Sequence, residues 1–287
     1  MIYPTLYKAA SAASDGSQKL FLNLVRAEYS LLFLAAIFAM DLSDSAPFLI
    51  IYALIFFCSM GVLIFRSTTK PEQTWYKARA LAESIKTSSW RYVMCAEPFG
   101  LDQNSLRTRQ EFRDQLGAIL RANETIGYEF GAVPSEDEQA TAEMERLRNE
   151  PVADKKDLYL NNRVIDQKTW YSNKAELNKN KARLWTAIGC LIYFLAAISV
   201  LLRLNFPHWK FWPTEPLIVM ASTTVGWVQI KKFRELATSY KLTALEISII
   251  EEKLREIEDS GALAAFVAEA EQGFSREHTQ WLARQAG

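Results

Sequence analysis

The chain is poor in the residues that catalysis and metal binding usually require. Its 287 residues include two histidines and three cysteines. Cys58, Cys95 and Cys190 have neither paired nor metal-ligand spacing, which argues against a disulfide framework and a zinc site. Cys58 and Cys190 lie inside apolar runs, where a thiol acts as a small hydrophobe. His208 stands among aromatics. His278 lies in "FSREHTQWLARQ", where Ser275 reads as a helix cap, so the two histidines make no metal site. There is no glycine-rich phosphate loop, no HExxH and no nucleophile elbow. An enzymatic activity, a cofactor and a metal are therefore not expected. An excess of positive charge is also missing. The 33 basic residues are matched by 33 acidic ones, which excludes a dedicated nucleic-acid binder. Period-two alternation is nowhere sustained, so strands are not expected. The opening "MIYPTLYKAASAASDGSQK" lacks the apolar stretch of a cleaved secretory signal.

Charge is also missing locally. Residues 46–65, "APFLIIYALIFFCSMGVLIF", are 20 residues without a charge, and residues 184–202, "LWTAIGCLIYFLAAISVLL", are 19 more. A helix rises about 1.5 Å per residue, so each run matches the roughly 30 Å hydrocarbon core of a bilayer. A soluble helix of that length normally keeps a polar face. Two weaker segments stand beside them. Residues 29–40, "YSLLFLAAIFAM", would have to extend back past Glu28 and Arg26 to span, and residues 216–230, "PLIVMASTTVGWVQI", are also short. Each joins a strong run through a short loop. The reading is an all-α membrane protein with four transmembrane helices in two hairpins, and long cytoplasmic helices forming a bundle or coiled coil.

Flanking charge sets the expected orientation. Arg66, Lys70, Lys77 and Arg79 follow the second span. Lys174, Lys179, Lys181 and Arg183 precede the third, and Lys231, Lys232 and Arg234 follow the fourth. The first hairpin loop carries Asp41 and Asp44 and no basic residue. Positive residues stay on the cytoplasmic side. Both termini and the long middle are therefore expected in the cytoplasm, with both hairpin tips outside. Trp209 and Trp212, in the second tip, are placed as interfacial anchors.

The halves resemble each other. "RALAESIKTSS" (79–89) and "RELATSYKLTA" (234–244) share Arg, Leu, Ala, Ser and Lys at an offset of 155, and "FLAAI" recurs at 33–37 and 194–198, an offset of 161. The two offsets differ by six, and the second hairpin loop reads as longer by about that number. Leu236, Tyr240, Thr243, Ile247, Ile250, Leu254 and Ile257 alternate four and three apart, a heptad seam. Leu81, Ile85, Ser88, Tyr92 and Cys95 keep the same phase in the first half. Such a seam serves packing within the chain or between chains. Residues 135–157 hold eight acids and four bases, a solvated helix face or a surface for a basic partner. "SEDE" at 135–138 reads as a capping box, with Ser135 and Glu138 as its two ends. From about residue 153 one helix is expected to run into the third span, and Pro71 to kink or restart the helix after the second. The organisation expected is residues 1–98 as a hairpin with its following helix, 99–157 as a cytoplasmic helical connector, and 158–287 as a second copy.

The strong spans contain no Asp, Glu, Lys, Arg or His, which argues against ion-coupled transport and intramembrane proteolysis. The fourth span is the most polar, with Ser222, Thr223, Thr224 and Gly226. Ser222 and Gly226 form a small-xxx-small pair for close helix approach, and the hydroxyls are alternatively pore-lining groups.

The stretches "QTWYKARALAESIKTSSWRYVMCAEPF" (73–99), "NRVIDQKTWYSNKAELNKNKARLW" (162–185) and "FSREHTQWLAR" (274–284) resemble the SLATT family. These are two-transmembrane effector domains of prokaryotic conflict systems that signal through nucleotides. The resemblance is to a double-copy form. Trp75, Arg79, Glu83, Lys86 and Trp90 match the first copy, and Trp170, Tyr171, Arg276, Glu277, His278 and Trp281 match the second. The resemblance implies an inner-membrane effector in anti-phage defence that perforates or depolarises the membrane on a cytoplasmic signal. The partners it implies are the lipid bilayer and a nucleotide second messenger or soluble sensor protein, with no nucleic acid. Four spans without charge in their apolar runs would close on each other, so a pore requires a homo-oligomer. The competing reading is a membrane-anchored sensor or scaffold whose cytoplasmic bundle recruits a soluble partner.

Overall fold

The computed structural model describes residues 3–40, 42–100, 105–123 and 139–286, with backbone alone from 275 onward. Every regular element among them is helical. In chain order these are α1 (Thr5–Phe38), α2 (Ala46–Thr69), α3 (Pro71–Val93), α4 (Ser105–Arg121), α5 (Ala142–Arg148), α6 (Val152–Tyr159), a π-helical turn (Leu160–Ile165), α7 (Asp166–Asn205), α8 (Thr214–Lys231), α9 (Phe233–Arg255) and α10 (Ser260–Ala286). The capping box at 135–138 lies outside the described residues. The helix after it starts instead at Thr141, whose hydroxyl accepts from the Met144 amide at 3.2 Å.

Helix breaks follow backbone chemistry. Lys70 adopts a left-handed conformation (φ 44°), and its N–H donates to the Arg66 carbonyl at 3.0 Å. That closes α2. Pro71, with φ already helical and no N–H to satisfy, opens α3. Lys232 repeats the device after α8, with φ 44° and a 2.9 Å bond to the Val228 carbonyl. Between residue 152 and Gly189 the chain has no glycine or proline, so α6, the π turn and α7 run on as one helical rod, as the sequence indicates.

The repeated left-handed lysine corrects the register of the duplication. Helices α3 and α9 both hold 23 residues and start at 71 and 233, an offset of 162. The shared "RALAESIKTSS" motif, at 155, is one heptad out of that register. A slip of one heptad keeps every seam residue on the same face, so a match at 155 preserves the heptad phase. The intervals between paired hairpin helices are residues 39–45 and 206–213. The second is longer by one residue rather than six, in agreement with the "FLAAI" offset of 161.

The chain divides into two compact units. Unit 1 comprises Met1–Leu20, Pro71–Thr169 and Leu245–Gly287. Its hub is α3, which buries Ala78, Leu81, Ala82, Ile85, Trp90, Tyr92 and Val93 and packs against α10, α4 and α5. Fully burying a large apolar side chain stabilises by about 1.5–3 kcal/mol, so these contacts dominate the unit. At the C-terminal end of α3, Tyr92 stacks on Phe112 at 4.5 Å and meets Phe99 edge-on at 5.5 Å. Arg148 lies over Tyr92 and donates to the carbonyls of Phe99 and Gly100 at 2.8 Å each. These bonds satisfy carbonyls of the segment leaving α3, which has no helix to satisfy them.

Unit 2 comprises Phe21–Lys70 and Trp170–Ala244. Its apolar side chains point outward: Phe57 is 63% exposed, Phe194 62% and Leu201 60%. Three helical stretches, Thr5–Phe38, Ala46–Val93 and Val152–Asn205, are long and apolar enough to cross a membrane. Helix α8, the expected fourth span, has 18 residues with Glu215 and Lys231 near its ends, and is not among the three.

Candidate functional site

Two regions hold the sequence-nominated residues. The first is the hairpin region of unit 2. Helix α1 runs through Arg26 and Glu28 without a break, as the first span requires. Glu28 pairs with Arg66 at 3.0 Å. Arg66 is the first charged residue after the uncharged run of α2, so the pair joins the two ends where charge returns. Pairing lowers the cost of holding a carboxylate near hydrocarbon. Arg26 lies over the Trp227 ring at 5.7 Å.

The polar stretch of α8 has mixed surroundings. The Ser222 hydroxyl donates to its own helix at the Ile218 carbonyl, 3.0 Å away, and the side chain is exposed. Thr223 does the same toward Val219 at 2.9 Å. Hydroxyls bonded to the preceding turn need no external partner. Thr224 is buried, and its methyl group would lie 3.7 Å from a Cβ placed on Gly189. Gly226 faces Tyr29. A Cβ there would meet the Tyr29 hydroxyl at 2.5 Å, so a larger residue requires the Tyr29 side chain to shift. At the other end of α8, Thr214 and Ser199 share a buried hydroxyl bond of 3.0 Å. Of the two tip tryptophans, Trp209 is exposed as an anchor would be. Trp212 is buried and donates to the Trp209 carbonyl, which makes it a brace for the loop.

The second region is the interior of unit 1, and it holds groups that the pattern reading missed. Arg163, on the π turn, is 1% exposed, and Glu271 of α10 is fully buried. The guanidinium donates Nε to Glu271 Oε1 at 2.7 Å and Nη2 to Oε2 at 2.6 Å, a two-pronged pair. Tyr159 donates to Oε1 at 2.9 Å and Thr87 to Oε2 at 3.0 Å. Burial opposes the Arg163 cation, but Glu271's charge and hydrogen bonds outweigh that and hold it more firmly protonated than usual. The rest of the guanidinium lies over Phe274, 4.7 Å from the ring centre. A π turn widens the helix locally and is common at functional sites. Here it brings Leu160, Arg163 and Val164 to the buried side together. A sequence signal for Glu271 exists: it falls four residues after Val267 and eight after Leu263, an apolar seam position taken by an acid.

Of the first-copy family positions, Trp90, Lys86 and Glu83 come near this pair. Trp90 is buried and donates to the Tyr3 hydroxyl at 3.0 Å, while its ring meets Tyr159 edge-on. Burial, and next to it the charge of Arg163, pushes the Lys86 ammonium below its ordinary pKa. Arg79 and Glu83 pair at 2.8 Å along the helix. Trp75 stacks on Tyr76. In the second copy, Trp170 and Tyr171 form an aromatic group with Tyr240, each ring centre 5.6 Å from that of Tyr240. The side chains of Arg276, Glu277, His278 and Trp281 lie outside the described residues, although their backbone continues α10.

These observations define a class: an all-helical membrane protein with apolar, outward-facing helices and a separately packed polar helical unit. Residues 4–156 match the model of "SMODS and SLOG-associating 2TM effector domain 3", and residues 159–281 match that of "SMODS and SLOG-associating 2TM effector domain 1". The chain belongs to the SLATT family, with two domains in tandem. No curated protein and no solved structure matches it.

Proposed function

We propose that this membrane effector assembles into homo-oligomers and opens a pore in the inner membrane when a cytoplasmic signal reaches it, as part of anti-phage defence. Both termini lie in the cytoplasm in this reading. The signal is a nucleotide second messenger or a soluble sensor protein. The observation that carries the proposal is the tandem match to two-transmembrane effector domains on helices whose apolar side chains face outward. Further support comes from α9. Its heptad seam turns Thr243, Ile247 and Leu254 inward, within the chain, while Leu242, Leu245 and Ile249 form a second stripe at the same spacing that is more than half exposed. That stripe suits contact between copies. The uncharged α2 and α7 runs of one chain offer no charged lining for a water-filled path, so in this reading assembly precedes opening.

The test is reconstitution of the full chain into liposomes with trapped dye, alongside the membrane potential of cells expressing it or a version lacking residues 184–230. Dye release with oligomers on cross-linking is expected, with depolarisation only from the intact chain. A monomer that never leaks under any nucleotide or lysate fraction would sink the proposal.

A further inference from the structure

Unit 1 contains a cavity of about 560 Å³ between α3, α4 and α10, lined mostly by polar residues. Small-molecule pockets of about 300–1,000 Å³ are usually lined by apolar and aromatic groups. This one has Ile119 and Ala268 as its apolar members and no aromatic ring.

Three buried polar atoms on its wall have no hydrogen-bond partner: Ser88 Oγ, Arg91 Nε and Gln115 Oε1. Ser88 is 2% exposed. Arg91 is held in place by Nη2, which donates to the Ala268 carbonyl at 3.0 Å, so its Nε is fixed, buried and unmatched. An unmatched buried polar group costs about 1–3 kcal/mol, and three on one wall are expensive unless something binds there. Glu97 and Glu269 are exposed members of the same lining.

The chemistry of this wall selects its ligand. One guanidinium and a hydroxyl accommodate a single carboxylate or similar acceptor, and Gln115 Oε1 accepts one donor. The two rim carboxylates suit an ammonium group. They also leave the lining net negative, which disfavours a polyphosphate. Without a ring to stack on, a nucleobase gains little. We infer that this cavity is a binding site for a small zwitterion of the amino-acid or dipeptide class. Its carboxylate is held by Arg91 and Ser88, and its ammonium by Glu97 and Glu269. The inference does not depend on pore formation. Its position has a structural consequence, however. Thr87, also in the lining, donates to the buried Glu271, and α10 supplies both the cavity wall and that carboxylate. A ligand spanning α3 and α10 would tighten the packing around the Arg163–Glu271 pair.

The experiment is calorimetric titration of the full chain in detergent with the common L-amino acids and the dipeptide Gly-Gln, with myo-inositol and ATP as contrasts. Saturable binding of at least one zwitterion is expected, weakened about tenfold or more by Ser88→Ala and by Glu97→Gln, since a hydrogen bond to a charged group contributes about 1.5–3 kcal/mol. Glu97 is exposed, so E97Q tests the site even where a buried substitution disturbs folding. Far-UV circular dichroism of both variants separates lost binding from lost structure. Absence of binding by every zwitterion overturns the inference. So does preference for ATP or inositol, or binding unchanged in folded S88A and E97Q. None of these outcomes bears on dye release, so the pore proposal is tested separately.

Discussion

Helices α2 and α3 differ in length by one residue and are separated by Lys70 alone, yet they obey opposite rules. Of the 24 residues in α2, one, Ile55, is buried. Of the 23 in α3, eleven are, including Trp90, Tyr92, Ser88 and Ser89. The more apolar helix is the more exposed one. In water this would be the wrong way round, because the hydrophobic effect removes apolar surface from solvent. In lipid it is the expected order: hydrocarbon is as good a neighbour for Leu or Phe as another side chain, and the backbone is satisfied within the helix. The lesson is that apolar content selects the surrounding medium, while mixed content at helical spacing selects a protein interior.

Four changes would break or sharpen this contrast. The largest effect is expected from Glu271→Ala. It leaves Arg163 buried without its counter-ion, and breaking such a pair costs about 3–5 kcal/mol. Thermal unfolding of the full chain in detergent should show a loss of that order. A variant as stable as the parent would mean the pair is not buried. Next comes a matched comparison across Lys70. Ile85→Ala empties a fully buried site and should cost about 2–5 kcal/mol. Ile50→Ala, at a position 59% exposed, should leave the unfolding midpoint in detergent nearly unchanged. Equal losses would show that α2 is packed against protein and would undo the lipid reading.

A smaller change is expected within unit 2. Gly226→Ala forces a methyl group against the Tyr29 hydroxyl, and overpacking of this kind costs about 1–3 kcal/mol. Adding Tyr29→Phe should restore most of it, because the next contact, the ring carbon, lies at 3.3 Å. Failure of that rescue in thermal unfolding would argue that the two groups do not meet. The smallest effect belongs to Ser222→Ala. Its hydroxyl is bonded to its own helix, so stability should change by less than about 0.5 kcal/mol, with dye release unaltered. A several-fold change in release at constant stability would instead place that hydroxyl in a water path.

The duplication shows how a periodic sequence can mislead in detail while being right in outline. Two tandem copies are present, and the heptad phase of Leu81, Ile85, Ser88, Tyr92 and Cys95 corresponds to that of Thr243, Ile247, Ile250, Leu254 and Ile257 at the offset of 162. The motif at 155 fell one heptad short because a seven-residue slip restores the same face. The paired left-handed lysines, Lys70 and Lys232, decide the register. Lysine carries no propensity for that conformation, so nothing in the letters announces them.

The sequence by itself determined the helical class, the two uncharged runs, the tandem arrangement and the restart at Pro71. Each rests on local rules: run length, period and backbone restriction act within one turn or one span. Only the tertiary structure decided that the α9 seam turns inward, that Trp212 braces a loop, and that Arg163 and Glu271 meet although 108 positions separate them. The polar cavity likewise needed α3, α4 and α10 to be assembled before its unmatched groups could be seen together. The physical reason is that burial and pairing are properties of neighbours brought together by folding, and a charge in a mixed helix reads the same in the sequence whether it ends in water or in a protein interior.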